Sequence, residues 1–226
     1  MLRSRLRLPT TWKVRFLYKL ADHLFDKETK YTIMMRLENR FCKIQIELDD
    51  TYVIGAPKNR DYDITFNPGK YRVDENYNVF RIRVDLRDRE YTIALIGDCQ
   101  SWVENCAVLE DAKLTVLQGW QIIQVNVCSG LLIQSATIDS MGCNYELYKV
   151  RENYLIYGEI DITMLNASFQ KLWYFSGRDI FVSTINKKAF EIREDRICLY
   201  DFEGTYYELA YDGSVIVEVP KSHKSL

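Results

Sequence analysis

Histidine is the usual proton carrier near neutral pH, and this 226-residue chain has two, His23 and His223. His23 follows Asp22 in an apolar-periodic segment, and His223 lies in the polar tail Lys221 to Leu226. Neither position suits a Ser-His-Asp or Cys-His pair, so nucleophilic catalysis of that kind is not expected. Cys42, Cys99, Cys106, Cys128, Cys143 and Cys198 are scattered without a CxxC spacing. They read as free thiols rather than metal ligands, and no metal site is expected. The ten glycines never cluster into a phosphate-cradling loop, so no nucleotide cofactor is expected, and none of another kind. Carboxylates are the remaining route to acid–base chemistry. Asp61 and Asp63, and again Glu159 and Asp161, share a strand face by their spacing, while Asp179, Asp195, Asp201 and Asp212 lie near turns. A hydrolase would need several of these to converge; solvated strand faces and turn chemistry explain the same residues.

The densest aromatic segment offers binding rather than catalysis. Trp173, Tyr174 and Phe175 precede a turn carrying Arg178 and Asp179, and rings beside a guanidinium are the composition of interface hot spots. These five residues are the candidate binding site. The competing reading turns alternate rings into the core and pairs Arg178 with Asp179 or a backbone carbonyl.

The elements that must carry these residues follow from periodicity. Up to about residue 27 the chain is basic, with Arg3, Arg5, Arg7, Lys13, Arg15 and Lys19 preceding the first acid. Trp12, Phe16, Leu20 and Leu24 recur at helical spacing, which predicts one amphipathic helix from about Thr11 to Asp26. That helix could cover one face or edge of the following domain, act as an Arg-rich targeting segment, or lie on an anionic membrane surface. From Lys30 onward the period becomes two, as in Phe41 to Leu48 and Val79 to Leu86, and 13% of the chain is aromatic, both favouring strands. Turn residues at Asp49-Asp50, Asn67-Pro68-Gly69, Asp88-Arg89, Cys128-Ser129-Gly130, Glu203-Gly204 and Asp212-Gly213 divide the strands into an antiparallel meander.

Alternating triplets at Ile44/Ile46/Leu48, Ile82/Val84/Leu86, Ile123/Val125/Val127, Ile160/Ile162/Met164 and Ile197/Leu199 recur about every 38 residues. Gly119 to Ile133 overlays Gly158 to Leu172 at 39, and Tyr154 to Leu172 overlays Glu191 to Leu209 at 37. In architecture this resembles the small β-propeller repeat proteins, although no Trp-Asp or kelch signature is present. The resemblance implies an all-β fold of five propeller-like units, with a β-sandwich or stacked twisted sheets as the alternative. The expected organisation is a basic helical segment over residues 1–27, a β domain over 28–220 and a tail over 221–226. Residues 97–106 and 135–145 read as insertions between units.

A net charge of -2 argues against wholesale nucleic-acid binding, and no apolar run is long enough to span a membrane. With no secretory signal pattern at its start, the chain is expected to be cytoplasmic. The expected function is a non-enzymatic protein-interaction module with a protein partner, of the adaptor or bacterial immunity kind. The alternative is a carbohydrate-active propeller working through carboxylates alone.

Overall fold

Alternation decides which side chains meet. In a computed structural model that describes residues 34–98, 103–182 and 188–221, the described chain is all-β and its 17 strands form four small sheets. The expected N-terminal helix, both histidines, Cys99 and Trp102 lie outside the described residues. The first sheet holds β1 (Met34–Glu38), β2 (Cys42–Leu48), β3 (Ile64–Phe66), β4 (Asn78–Leu86) and β5 (Glu90–Gly97), in the order β1-β2-β4-β5-β3. The second holds β6 (Ala107–Glu110), β7 (Lys113–Gln118), β8 (Gln121–Asn126) and β9 (Leu131–Thr137). The third holds β10 (Asn144–Val150), β11 (Asn153–Gly158), β12 (Asp161–Leu165) and β13 (Lys171–Ser176). The fourth holds β14 (Phe190–Ile192), β15 (Ile197–Tyr200), β16 (Tyr206–Leu209) and β17 (Val215–Val219). The last three are simple antiparallel meanders.

Each sheet buries one face against the next in chain order. Ile44, Ile82 and Ile93 of the first sheet pack with Leu114, Val116 and Ile123 of the second. The opposite face of the second sheet presents Leu117 and Ile122 to Leu147, Tyr154 and Ile156 of the third. Leu155, Ile162 and Met164 then meet Ile197, Leu199, Tyr207 and Leu209 of the fourth. This accounts for a pattern that alternation alone does not predict: β8, β11 and β12 are buried almost throughout because neighbours cover both faces. The joint between the second and third sheets also encloses polar groups. Gln124 Nε2 donates to Thr115 Oγ1 and to the Tyr154 hydroxyl, both at 3.0 Å. The Tyr154 hydroxyl donates to Glu110 at 3.0 Å, and Lys149 neutralises that carboxylate at the same distance.

The structure corrects the repeat. The first two triplets are not successive units, because Ile44 pairs with Val84 and Ile46 with Ile82 as neighbouring strands of one sheet. Five expected units therefore become four sheets among the described residues. The 39-residue overlay aligns equivalent strands, β8 on β12, whereas the 37-residue overlay sets β12 on β15 and slips by one strand. A short β14 and β15 shifted the apolar triplet without shifting the unit. Nor is the chain a pure meander, since β3 runs parallel to β5. The chain between β2 and β4, interrupted by β3, lays Tyr52, Ile54, Tyr62, Tyr71 and Tyr77 over Val79, Ala94 and Ile96 on the other face of the first sheet.

Candidate functional site

In the second, third and fourth sheets the last strand is an outer edge, and each is entered through the same turn device. Asn126 Oδ1 accepts from the backbone N–H groups of Cys128 and Ser129, Asn166 Oδ1 from those of Ser168 and Gln170, and Asp212 Oδ1 from that of Ser214. The turn then passes through a left-handed residue: Gly130 at φ 70°, Phe169 at 62° and Gly213 at 86°. Asx-type side chains stabilise such turns by substituting for backbone partners. Glycine at position 213 also admits the ring of Trp173, which would lie only 2.7 Å from an added Cβ.

Just beyond each turn the edge strand bulges. Gln124 pairs with Gln134 and Val125 with Leu132, so Ile133 is left over; Met164 pairs with Trp173 and Leu165 with Lys171, leaving Leu172. Glu208 pairs with Val217 and Leu209 with Val215, leaving Ile216. A bulge bends the strand and re-aims the extra side chain. Here the three extra residues are large, apolar and exposed, at 45% for Ile133, 51% for Leu172 and 49% for Ile216. They stand 39 and 44 positions apart. Leu131, Leu132, Tyr174, Val215 and Val219 extend the exposed apolar surface on the same edges.

These edges are tied side by side. Gln134 donates to the Ala167 carbonyl at 2.9 Å, and Lys171 donates to the Asp139 carbonyl, joining the second sheet to the third. The Trp173 indole N–H donates to the Tyr211 carbonyl at 3.0 Å, and Arg178 grips Glu218 Oε1 through Nε at 2.7 Å and Nη2 at 2.6 Å, joining the third to the fourth.

The expected binding residues separate by face. Trp173 and Phe175 turn toward the fourth sheet, Phe175 lying edge-on to Tyr207 at 5.3 Å between ring centres. Tyr174 faces solvent at 61% exposure. Arg178 pairs with Glu218 instead of Asp179, and Asp179 Oδ1 accepts from the Ile180 N–H at 2.8 Å. The Arg178 N–H donates to the Tyr207 hydroxyl, which burial pushes above its ordinary pKa and which donates to Asp201 at 2.9 Å. Leu172, Ile133 and Ile216 were not singled out in the sequence, because a bulge cannot be seen in an unaligned strand. The 39-residue overlay does place Ile133 on Leu172, and that is the signal that could have found them.

Asp63 stands apart from Glu159 and Asp161. Asp63 accepts from the Thr92 N–H at 2.7 Å, which holds it below its ordinary pKa beside the first sheet. Glu159, in the β11–β12 turn, and Asp161, the first residue of β12, sit two sheets away. There Asp161 takes the Met141 N–H at 3.2 Å and the Ser176 hydroxyl, and Glu159 the Cys143 N–H at 3.4 Å. Each pins a connection between sheets.

No family model matches the chain, and no curated protein matches it. Among solved structures it is similar to BamB from Moraxella catarrhalis, at 14% identity and a TM-score of 0.42, covering 67% of this chain and 48% of that one. It is also similar to Hsv2 from Kluyvelomyces marxianus, at 7% identity and a TM-score of 0.38, covering 68% and 48%. The chain thus spans about half the length of the solved structures it resembles.

Proposed function

We propose that this chain is a non-enzymatic protein-interaction module with a propeller-like arrangement of sheets, which docks a protein partner on the outer edges β9, β13 and β17. The repeated bulge that leaves Ile133, Leu172 and Ile216 outward carries the reading. Large apolar side chains gain most by leaving water, and here they recur at equivalent places on three edges that are fastened together. The bulges also interrupt the hydrogen-bond register a foreign strand would need, so the partner is held by side-chain burial rather than by strand addition. Within the aromatic segment Tyr174 is the contact residue, with Arg178 and Asp179 at its border and Trp173 and Phe175 as its anchors.

The test is site-specific photo-crosslinking in the native host. A benzophenone side chain at Leu172 or Tyr174 should give one discrete protein adduct. The same group at Asp50, on the loop over the first sheet, should not. With the benzophenone at Tyr174, the triple variant Ile133→Asp, Leu172→Asp, Ile216→Asp should abolish the adduct and leave the circular dichroism spectrum unchanged. Equal adducts from both sites, or an adduct that survives the three aspartates, would remove the basis for this function.

A further inference from the structure

Three turns of the first two sheets, one of them the turn that leads into β9, bring together a second kind of surface. The β1–β2 turn supplies Arg40 and Phe41, the β4–β5 turn supplies Leu86, Arg87, Asp88 and Arg89, and the turn after β8 supplies Cys128. Together they line a cavity of about 400 Å³. That volume lies within the range of roughly 300–1,000 Å³ typical of small-molecule sites. Among the described residues that line it, the charge is lopsided: three arginines and one carboxylate, Asp88.

Arg87 and Arg89 are held by neutral groups, and Arg40 by a ring and one exposed carboxylate. Arg89 donates to the Cys128 carbonyl and its guanidinium lies 5.4 Å from the Tyr91 ring centre. Arg87 Nη2 is 3.5 Å from the Arg40 carbonyl. Arg40 stacks 4.6 Å from the Phe41 ring centre and makes one long, solvent-exposed ion pair with Asp111 at 3.5 Å. An exposed pair of that length contributes little and is easily exchanged for a better acceptor. Phe41 and Leu86 give the same cavity an apolar wall. Guanidinium forks lining one cavity suit the oxygens of a phosphate group, and the wall matches an apolar body attached to it.

We propose that this cavity binds a small phosphate monoester with an aromatic or aliphatic body, its phosphate held by Arg40, Arg87 and Arg89 and its body laid on Phe41 and Leu86. This site shares the turn before β9 with one docking edge but uses none of Ile133, Leu172 and Ile216, and it does not rest on that reading.

Cys128 is exposed in the cavity and so reports on its occupancy. Phenyl phosphate is the probe, and the readout is the rate of Cys128 alkylation by iodoacetamide, followed by mass spectrometry on the full chain. The rate should fall saturably with phenyl phosphate. Inorganic phosphate should need a concentration about tenfold higher, since burying one ring is worth on the order of 1.4 kcal/mol or more. Arg87→Ala and Arg40→Ala, both exposed turn positions, should each raise the half-protecting concentration about tenfold, the loss of one charge-assisted bond. Cys143, a partly exposed thiol at the start of the third sheet, serves as the internal control and should be unaffected. The proposal falls if Cys128 is not protected, if Cys143 is protected equally, if the arginine variants behave as wild type, or if inorganic phosphate protects as well as the ester.

Discussion

Asp49 shows how a single buried carboxylate can hold a long loop. It is 5% exposed, and it accepts from the Thr51 N–H at 3.0 Å, the Thr51 hydroxyl and the Tyr62 hydroxyl, while its own N–H donates to the Val79 carbonyl at 2.8 Å. Burial alone would raise its pKa, but the bonds from Thr51 and Tyr62 outweigh it and hold the group below its ordinary value of 3.8. A depressed folded-state pKa means the unfolded chain binds the proton more tightly, so the stabilisation is complete above pH 3.8 and is lost as pH falls through the folded value. Asp49→Ala should cost about 2–3 kcal/mol at pH 7, the scale of losing hydrogen bonds to a charged acceptor. Its urea midpoint should also change less than wild type's between pH 6 and pH 3. In the sequence, Asp49-Asp50 was legible as a turn. Its role as a clamp was not, because Tyr62 is thirteen residues away on a connection that alternation says nothing about.

At the scale of one strand, the bulge in β13 makes a sharp prediction. Leu172 is the residue that the ladder skips, since Met164 faces Trp173 and Leu165 faces Lys171. Deleting Leu172 joins two positions already in register, so every other side chain keeps its face. The deletion should fold with a loss below about 2 kcal/mol, within the ordinary range for one substitution. Deleting Tyr174 instead reverses one side of the strand and forces either Trp173 or Phe175 out of the joint with the fourth sheet. That should cost at least about 3 kcal/mol, the scale of removing a buried aromatic. Thermal denaturation of the two deletions decides between a bulge and a regular strand. The turns at Asn67-Pro68-Gly69, Cys128-Ser129-Gly130 and Asp212-Gly213 were readable because turn chemistry is local. The strand β3 was not, because three residues paired parallel to a distant strand leave no periodic trace.

At the scale of the molecule, the sheets form a row in which each joint is a separate apolar cluster. The period-two pattern was enough to announce strands and one buried face, as in β2 and β4. Which sheet covers the second face of β8 or β11 depends on how successive units stack, and that is not written in any one strand. Such a row should behave partly as a nearest-neighbour system, with local stability set at each joint. Leu199 belongs to the joint between the third and fourth sheets, and Ile93 to the joint between the first and second; both are fully buried. Truncating either to alanine removes about 2–5 kcal/mol from its joint. In Leu199→Ala, amide exchange should accelerate across 190–219 and remain near wild type in β4 and β5, and Ile93→Ala should show the converse. Between them, the amides of β8 and β11 should stay the most protected in both variants, because they are covered on two faces. They also flank the Thr115–Gln124–Tyr154 network, whose hydrogen bonds must break together for those two sheets to part. Uniform acceleration throughout the chain would instead mean that the four sheets open as one unit, and the joints would then have no independent stability.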